Sequence, residues 1–259
     1  MLISVITVLF NDKANFEKTL KSIASQTFKN IEFIVIDGGS TDGTVDLIKR
    51  NEHLISYWIS EPDKGLYDAM NKGLCRISGD FVNFLMAGDT IINPQSLQSV
   101  SKNLVGGDFC YFSRVRIHSE VGVWIYPPMA ELDMDNWLVK NLPNFQSMFF
   151  PKSFYKRNRF DPRLLLTGDD DFKLLAIGSG LLRFVDEEFA DFRRDGISSN
   201  HKSFGLFWQR VKESVIINLK HRRYLRLFLD PFKRLITFFV NSIFGDRVFL
   251  KFIRVIKKL

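Results

Sequence analysis

Phe81-Val82-Asn83-Phe84-Leu85-Met86-Ala87-Gly88-Asp89 is a short, nearly continuous apolar run that stops on Ala-Gly and presents one carboxylate. A strand buried on both faces reads this way. Such a strand carries its terminal acid to an edge of the sheet. Taken alone, Asp89 is equally a turn former ahead of Asn93-Pro94, so the flanking segments have to separate the two readings.

Upstream, Ile3–Leu9 is another buried-strand pattern, and Asn11-Asp12 supplies helix-cap chemistry ahead of Phe16, Leu20 and Ile23, which share one helical face. Residues 31–36 form a β-branched apolar run ending in Asp37-Gly38-Gly39-Ser40-Thr41-Asp42-Gly43-Thr44, before a helix through Val45, Leu47 and Ile48. Residues 55–59 make a third, shorter strand. Ser60-Glu61-Pro62-Asp63-Lys64-Gly65 follows, then a helix from 66 to about 77 with Leu66, Met70, Leu74 and Ile77 on one face. Four strands alternating with three helices predict a mainly parallel, doubly wound sheet, with ligands beyond the carboxyl ends of the strands. Asp37, Asp63 and Asp89 would share that rim. Three unrelated turn aspartates remain the alternative.

Downstream the pattern is less regular. A helix to about Leu104 leads to β-rich pieces at 108–112, 114–118 and 122–126, and Pro127-Pro128 marks a break. Residues 131–140 have helical spacing, 146–150 read as a strand, and Phe160-Asp161-Pro162 reads as a turn. Thr167-Gly168-Asp169-Asp170-Asp171-Phe172 then opens a helix through Leu174, Leu175 and Ile177. Acids are favoured in a first helical turn by the macrodipole, so capping alone accounts for this triple Asp.

The 259 residues, 46% hydrophobic, suit one large α/β domain with an appendage. Cys75 and Cys110 show neither disulfide-framework nor CxxC spacing, which predicts buried fillers in a reducing compartment and no cysteine-based zinc site. The apolar start has no basic flank and no small-residue cleavage pattern, so it reads as a strand and not a signal peptide. There is no Walker P-loop, and Gly38-Gly39 does not fit the dinucleotide G-x-G-x-x-G pattern, which removes the main support for kinase-like and NAD-dependent chemistry. The net charge of +7 is unevenly spread: residues 201–259 hold fourteen Lys and Arg against three Asp and Glu, while 1–200 hold 22 against 26.

Ser4-Val5-Ile6-Thr7 with Phe10-Asn11, the 36–44 junction, Glu61 through Gly73 and Phe84 through Asp89 together resemble the family 2 glycosyltransferases. The likeness is strong to Asp89, fair to about Ser199 and absent beyond. It implies an α/β fold of the GT-A, nucleotide-sugar-binding type, with a mainly parallel, Rossmann-like central sheet, over residues 1–200, and a basic helical extension over 201–259. By the same resemblance Thr7, Asn11, Asp37, Gly38, Asp63 and Lys64 would hold the nucleotide sugar, with the Asp37 carboxylate accepting a base N–H. Asp89 would hold Mg²⁺ or Mn²⁺ as the last member of a D-x-D-like motif reduced here to Ala87-Gly88-Asp89. A hard divalent ion needs few protein ligands when diphosphate oxygens and water complete its shell. Asp169 is the implied general base, Asp170 the second candidate, and Asp171 a helix support. Two positions depart from the family pattern: Phe145 stands where many relatives have His before Gln, and Asp195-Gly196-Ile197-Ser198-Ser199 replaces a Gly-Gly-hydrophobic-Ser loop. His201, in that loop, is either a metal contact or plain surface.

The implied reaction is inverting transfer of a sugar from a nucleoside-diphosphate donor, UDP-sugar foremost, to a glycan or lipid-linked glycan acceptor, as in cell-surface polysaccharide biosynthesis. Nucleotidyl transfer to a sugar phosphate would want a glycine- and Arg/Lys-rich loop after the first strand, which Phe10-Asn11-Asp12-Lys13 does not supply. A non-catalytic nucleotide-sugar binder is the third reading. In the tail, Arg247, Lys251, Arg254 and Lys258 recur on one helical stripe, and the uncharged run 235–245 is much shorter than the ~20 residues of a spanning helix. This predicts an interfacial helix at the cytoplasmic face of the inner membrane, with a self-packed, solvated helix as the alternative and nucleic acid not expected.

Overall fold

The computed structural model describes residues 1–119, 122–128, 133–193 and 203–239. Its first half is the predicted set of β-α units: β1 (Ile3–Leu9), α1 (Lys13–Ala24), β2 (Ile31–Asp37), α2 (Thr44–Arg50), β3 (Tyr57–Ser60), α3 (Leu66–Leu74) and β4 (Phe81–Phe84). The four strands are parallel and lie side by side in the order β3-β2-β1-β4. All of β1 and β4 and most of β2 are buried, which is why they read as unbroken apolar runs without alternation. Parallel pairing turns their carboxyl ends to one edge, so the loops carrying Asp37, Asp63 and Asp89 share a rim.

The second half completes the sheet in mixed sense. It comprises β5 (Thr90–Ile91), α4 (Ser96–Ser101), β6 (Cys110–Ser119), β7 (Gly122–Tyr126), α5 (Met134–Lys140), β8 (Met148–Pro151), α6 (Lys152–Arg157), α7 (Gly168–Gly178), β9 (Leu182–Arg193), α8 (Phe204–Lys220) and α9, helical over 224–239. β8 runs antiparallel to both β4 and β6, joining the two halves, and β9 lies parallel to β6. The pieces expected at 108–112 and 114–118 are one strand, β6, whose register against β9 shifts on either side of Arg114. Residues 145–147 form a single 3₁₀ turn ahead of β8 instead of its first part.

Three local expectations are corrected. Leu66 is exposed, and Tyr67 takes the core position beside Met70 and Leu74, since residues 67, 70 and 74 share the helical face turned to the sheet. Asp12 occupies the N-cap position of α1 but makes no cap hydrogen bond; its carboxylate accepts from the Asn15 side chain. Of the two cysteines only Cys110 is buried, and burial pushes its thiol up to about 12, whereas Cys75 is exposed.

The core beneath the rim is aromatic. Phe84 of β4, Phe145, Phe150 of β8, Phe160 and Phe172 of α7 pack against one another, with the Phe160 and Phe172 rings stacked at 4.2 Å. Offset and edge-on ring pairs add to the simple burial of area. This cluster welds the first turn of α7 to the strand that leads to Asp89.

Candidate active site

On the first-half rim, Asp37 is fully buried and its carboxylate organises its own loop. One oxygen accepts from the Gly39 and Ser40 amides at 3.2 and 2.8 Å and from Ser60 Oγ at 2.6 Å, and the other accepts from Ser40 Oγ. A buried carboxylate is tolerable only when so compensated. Asn11 is stitched to the same loop: its amide donates to Ser40 Oγ at 2.7 Å and its side-chain oxygen accepts from the Thr41 amide at 2.8 Å. Gly38 lies so close to Asp63 that a Cβ would stand 2.8 Å from Oδ2, so a larger residue there would have to displace that carboxylate. Asp63 turns the chain by accepting from the Gly65 amide, and the Lys64 amide donates to Asp68. Thr7 Oγ1 donates to the Leu85 carbonyl at 2.7 Å, tying the end of β1 to the chain just before Asp89. Of the six residues expected at the nucleotide, Asn11, Asp37, Gly38 and Asp63 meet at the loops after β1, β2 and β3, with Lys64 next in the chain, whereas Thr7 is buried and turned to the end of β4.

Asp89 sits in a tight turn, only 4% exposed. Thr19 of α1 holds that turn: its hydroxyl donates to the Asp89 carbonyl at 2.8 Å and accepts from the Gly88 amide at 3.0 Å. Gln146 Nε2 donates to Asp89 Oδ2 at 2.9 Å and aims the carboxylate. Asn83 fixes Gln146 in turn, donating to its carbonyl at 2.8 Å. No group of three or more His, Cys, Asp or Glu side chains that would hold a metal occurs among the described residues. A single, nearly buried, oriented carboxylate is not a protein cage, but it fits a hard cation whose remaining ligands are substrate oxygens and water. Phe145, at the departure from the family pattern, is buried in the aromatic core. His201 and the 195–199 loop lie outside the described residues.

The acidic turn of α7 faces a cleft of about 640 Å³ lined by Tyr67, Gln146, Asp169, Asp170 and Lys173, and on its far side by residues of α9. Asp169 accepts from Tyr67 Oη and Lys173 Nζ, both at 3.0 Å. Two donors leave half of a carboxylate's lone-pair sites open. Burial, with the nearby Asp169 charge, pushes the Tyr67 phenol well above its ordinary value, so it stays a neutral donor. Gly168 is required here, since a Cβ would meet the Tyr67 ring at 2.8 Å. Lys173 also reaches Asp170 at 2.7 Å. Burial opposes charge on both partners; Asp169 and Asp170 outweigh it for Lys173, whose pKa rises, and Lys173 with Arg234 and Arg223 outweighs it for Asp170, whose pKa falls. Asp170 is therefore held as the charged partner of Lys173.

Two further groups hold this turn: Glu213, to which no local signal in the sequence points, and Asp171, expected as a helix support. Glu213 of α8, fully buried, accepts from the amides of Leu165, Leu166 and Thr167 at 2.8, 3.0 and 2.9 Å and from Thr167 Oγ1 at 2.7 Å. Asp171 points away from the cleft and bonds Lys220 Nζ at 2.7 Å and His221 Nε2 at 2.8 Å, at the end of the same helix. Thus α8, from the region expected to be a separate appendage, clamps the acidic turn at both ends.

The comparisons with known proteins bear on this arrangement. Residues 4–174 match the family described as glycosyl transferase family 2. An uncharacterized glycosyltransferase of Mycobacterium tuberculosis is 43% identical over 105 residues, 40% of each chain, so the match spans about two fifths of that relative's length. A PGL/p-HBAD biosynthesis glycosyltransferase of Mycobacterium bovis is 28% identical over 235 residues, covering 85% of this chain and 87% of the relative. Among solved structures, S. aureus TarS 1-349 in complex with UDP-GlcNAc superposes with a TM-score of 0.67 at 17% identity, over 94% of this chain and 73% of that one. Other glycosyltransferases of similar fold were solved with Mn²⁺.

Two outcomes follow from the clamp. Glu213→Ala leaves three buried amides without an acceptor and should cost on the order of 2–4 kcal/mol in denaturant unfolding. Burial raises the Asp171 pKa and the His221 and Lys220 hydrogen bonds more than offset it, so its folded-state value is depressed. Its contribution is complete above the ordinary aspartate value of about 3.9 and is lost as pH falls through the lower folded value. Between about pH 5 and 2, Asp171→Asn should therefore lose stability less steeply than the parent chain when acid unfolding is followed by circular dichroism.

Proposed function

The chain belongs to glycosyl transferase family 2 and has the GT-A fold of its solved neighbours, and from this premise we propose that it is an inverting transferase. It moves a sugar from a nucleoside-diphosphate donor, UDP-linked first of all, to a hydroxyl of a glycan or lipid-linked glycan in cell-surface polysaccharide biosynthesis. The observation that carries the reading is the pair of hydrogen bonds, Gln146 to Asp89 and Tyr67 to Asp169, whose donors Gln146 and Tyr67 both line the cleft that Asp169 faces, so that the Asp89 turn is held directly behind its wall.

In this reading Thr7, Asn11, Asp37, Gly38, Asp63 and Lys64 hold the nucleoside and ribose, the amides and hydroxyls around Asp37 being already ordered by its carboxylate. Bound at Asp89, Mg²⁺ or Mn²⁺ would supply charge neutralisation for the nucleoside diphosphate as it departs. Asp169 accepts the proton of the acceptor hydroxyl while that oxygen bonds the anomeric carbon on the face opposite the leaving diphosphate, which inverts the centre. The neutral Tyr67 phenol keeps the Asp169 carboxylate turned to the cleft, and Lys173 holds Asp170 as a fixed counter-charge. The TarS complex with UDP-GlcNAc and the Mn²⁺-bound neighbours support the donor class and the metal.

The tail supports work at a membrane surface. Among the described residues no helix is long and apolar enough to cross a bilayer. In α9, however, Leu225, Phe228, Leu229, Phe232, Ile236 and Phe239 are all exposed on one stripe, while Arg226, Lys233 and Arg234, with Arg223 just ahead of the helix, line the cleft. This orientation differs from a simple solvated basic face. An outward apolar stripe on a segment carrying fourteen Lys and Arg suits peripheral binding to an anionic, cytoplasmic-face membrane. The expected basic stripe of Arg247, Lys251, Arg254 and Lys258 lies outside the described residues.

Calorimetric titration of UDP, GDP and dTDP, with and without Mn²⁺, tests the donor site. One nucleotide should bind more tightly with metal, and Asp89→Ala should remove that gain. Asp169→Asn should keep UDP affinity and lose about 10²- to 10⁴-fold in turnover; absence of nucleotide binding under every condition would sink the proposal. For the membrane, co-sedimentation with vesicles containing anionic lipid should fall about tenfold in Phe228→Ser and fall again at high salt. Equal pelleting with neutral vesicles or without vesicles would exclude the surface role.

A further inference from the structure

The cleft beside Asp169 is not electrically balanced. Lys173 is taken up by Asp169 and Asp170, and Arg226 by Asp230 at 3.5 Å and the Val139 carbonyl at 3.2 Å. Lys140, Arg223, Lys233 and Arg234 line the same space, and among the described residues none of them makes a direct ion pair with a carboxylate, although Asp230 and Asp170 attract Arg223 and Asp170 attracts Arg234 from farther off. Arg234 Nε is buried without a hydrogen-bond partner. A half-buried guanidinium left in this state is costly unless an anion completes it.

The cations also crowd one another. Burial and then Arg226 hold Arg223 below its ordinary pKa, and burial and then Arg234 do the same to Arg210. Repulsion between partly desolvated cations is relieved by an anion placed between them. Asp170 attracts Arg223 and Arg234, but its carboxylate is held by Lys173 at 2.7 Å and forms no direct ion pair with either arginine. The donor's diphosphate is assigned to the Asp89 rim in the reading above, so a second anion at this wall belongs to the acceptor.

We propose that Arg223 and Arg234, with Lys140 and Lys233 at the rim, form a phosphate subsite for the acceptor. The ligand class is a sugar or glycan carried on a phosphate or diphosphate ester of a long-chain lipid alcohol. The geometry of α9 is consistent with that class. Its inward stripe meets the phosphate next to the proposed base, and its outward stripe of Leu225, Phe228 and Phe232 lies on the side where a hydrocarbon chain would enter from a membrane. The fork of an arginine matches phosphate oxygens with paired donors, which also sets the distance from phosphate to reacting hydroxyl. This inference rests on the glycosyltransferase reading, and its test separates the two.

The test is calorimetric titration of farnesyl phosphate, farnesol and inorganic phosphate into the full chain saturated with UDP and Mg²⁺, so that the donor site is filled. Farnesyl phosphate should bind at least tenfold more tightly than farnesol, and the Arg223→Gln/Arg234→Gln double variant should lose at least tenfold in that affinity while its UDP affinity is unchanged. Retained UDP binding shows that the variant is folded. The rim variant Lys140→Gln/Lys233→Gln should give a smaller loss in the same direction. Inorganic phosphate binding as tightly as farnesyl phosphate would uphold the subsite and overturn the lipid carrier. Farnesyl phosphate that does not bind beside UDP, or that binds the double variant equally, overturns the subsite while leaving the donor site intact. Failure of UDP itself to bind would instead remove the reading on which the inference rests.

Discussion

A carboxylate taken out of water must be surrounded by donors or it will not remain charged, and this protein buries several of them at its working edge. Asp37 is met by two amides and two hydroxyls, Asp171 by a lysine and a histidine, and Glu213 by three amides, a threonine hydroxyl and the Gln209 side chain at 2.6 Å. Each set of donors comes from a loop or helix end that would otherwise have no fixed path. Compensation of buried charge therefore shapes the loops, and the loops shape the cleft. Such networks stabilise little when compared with apolar packing, but removal of one partner leaves an uncompensated group and is costly.

The site is divided between the two halves of the sheet. The parallel half supplies the loops around Asp37 and the Asp89 turn, proposed above to hold the nucleotide. The mixed half, with α7, supplies the carboxylates and cations proposed to meet the acceptor. The aromatic cluster joining Phe84 to Phe172 is what keeps the two halves at a set distance. Gln146 and Tyr67 then carry that rigidity to the carboxylate oxygens. A reaction that needs a leaving diphosphate on one side of a sugar and a proton acceptor on the other depends on such a frame more than on any one acid.

Legibility in the sequence follows the range of the interactions. β1, β2 and β4 are legible because strands buried on both faces must be apolar throughout. The acidic turn of α7 is legible because three consecutive acids at a helix start are a local pattern. By contrast, Leu182–Arg193 carries Arg183, Asp186, Glu187, Glu188 and Asp191 and offers no apolar run, yet it is the longest strand. Its pairing with β6, including the Arg116–Glu188 ion pair at 2.6 Å, is set by a partner some seventy residues away. Glu213 was likewise silent, since an acid among basic and aromatic residues looks like ordinary surface until the amides of 165–167 are seen to converge on it.

The order of residues alone was enough for the class of fold, the rim with its aspartates and the position of the acidic helix start, because periodicity, turn chemistry and capping act between near neighbours in the chain. It was also enough to set a basic C-terminal region apart by its charge. Which way that region faces was settled only by packing: α8 holds the acidic turn of α7 through Glu213, Lys220 and His221, and α9 turns Arg226 and Arg234 to the cleft and Phe228, Phe232 and Phe239 outward. Charge and hydropathy fix the two faces of a helix, but the direction in which each face points depends on contacts with segments far away in the chain.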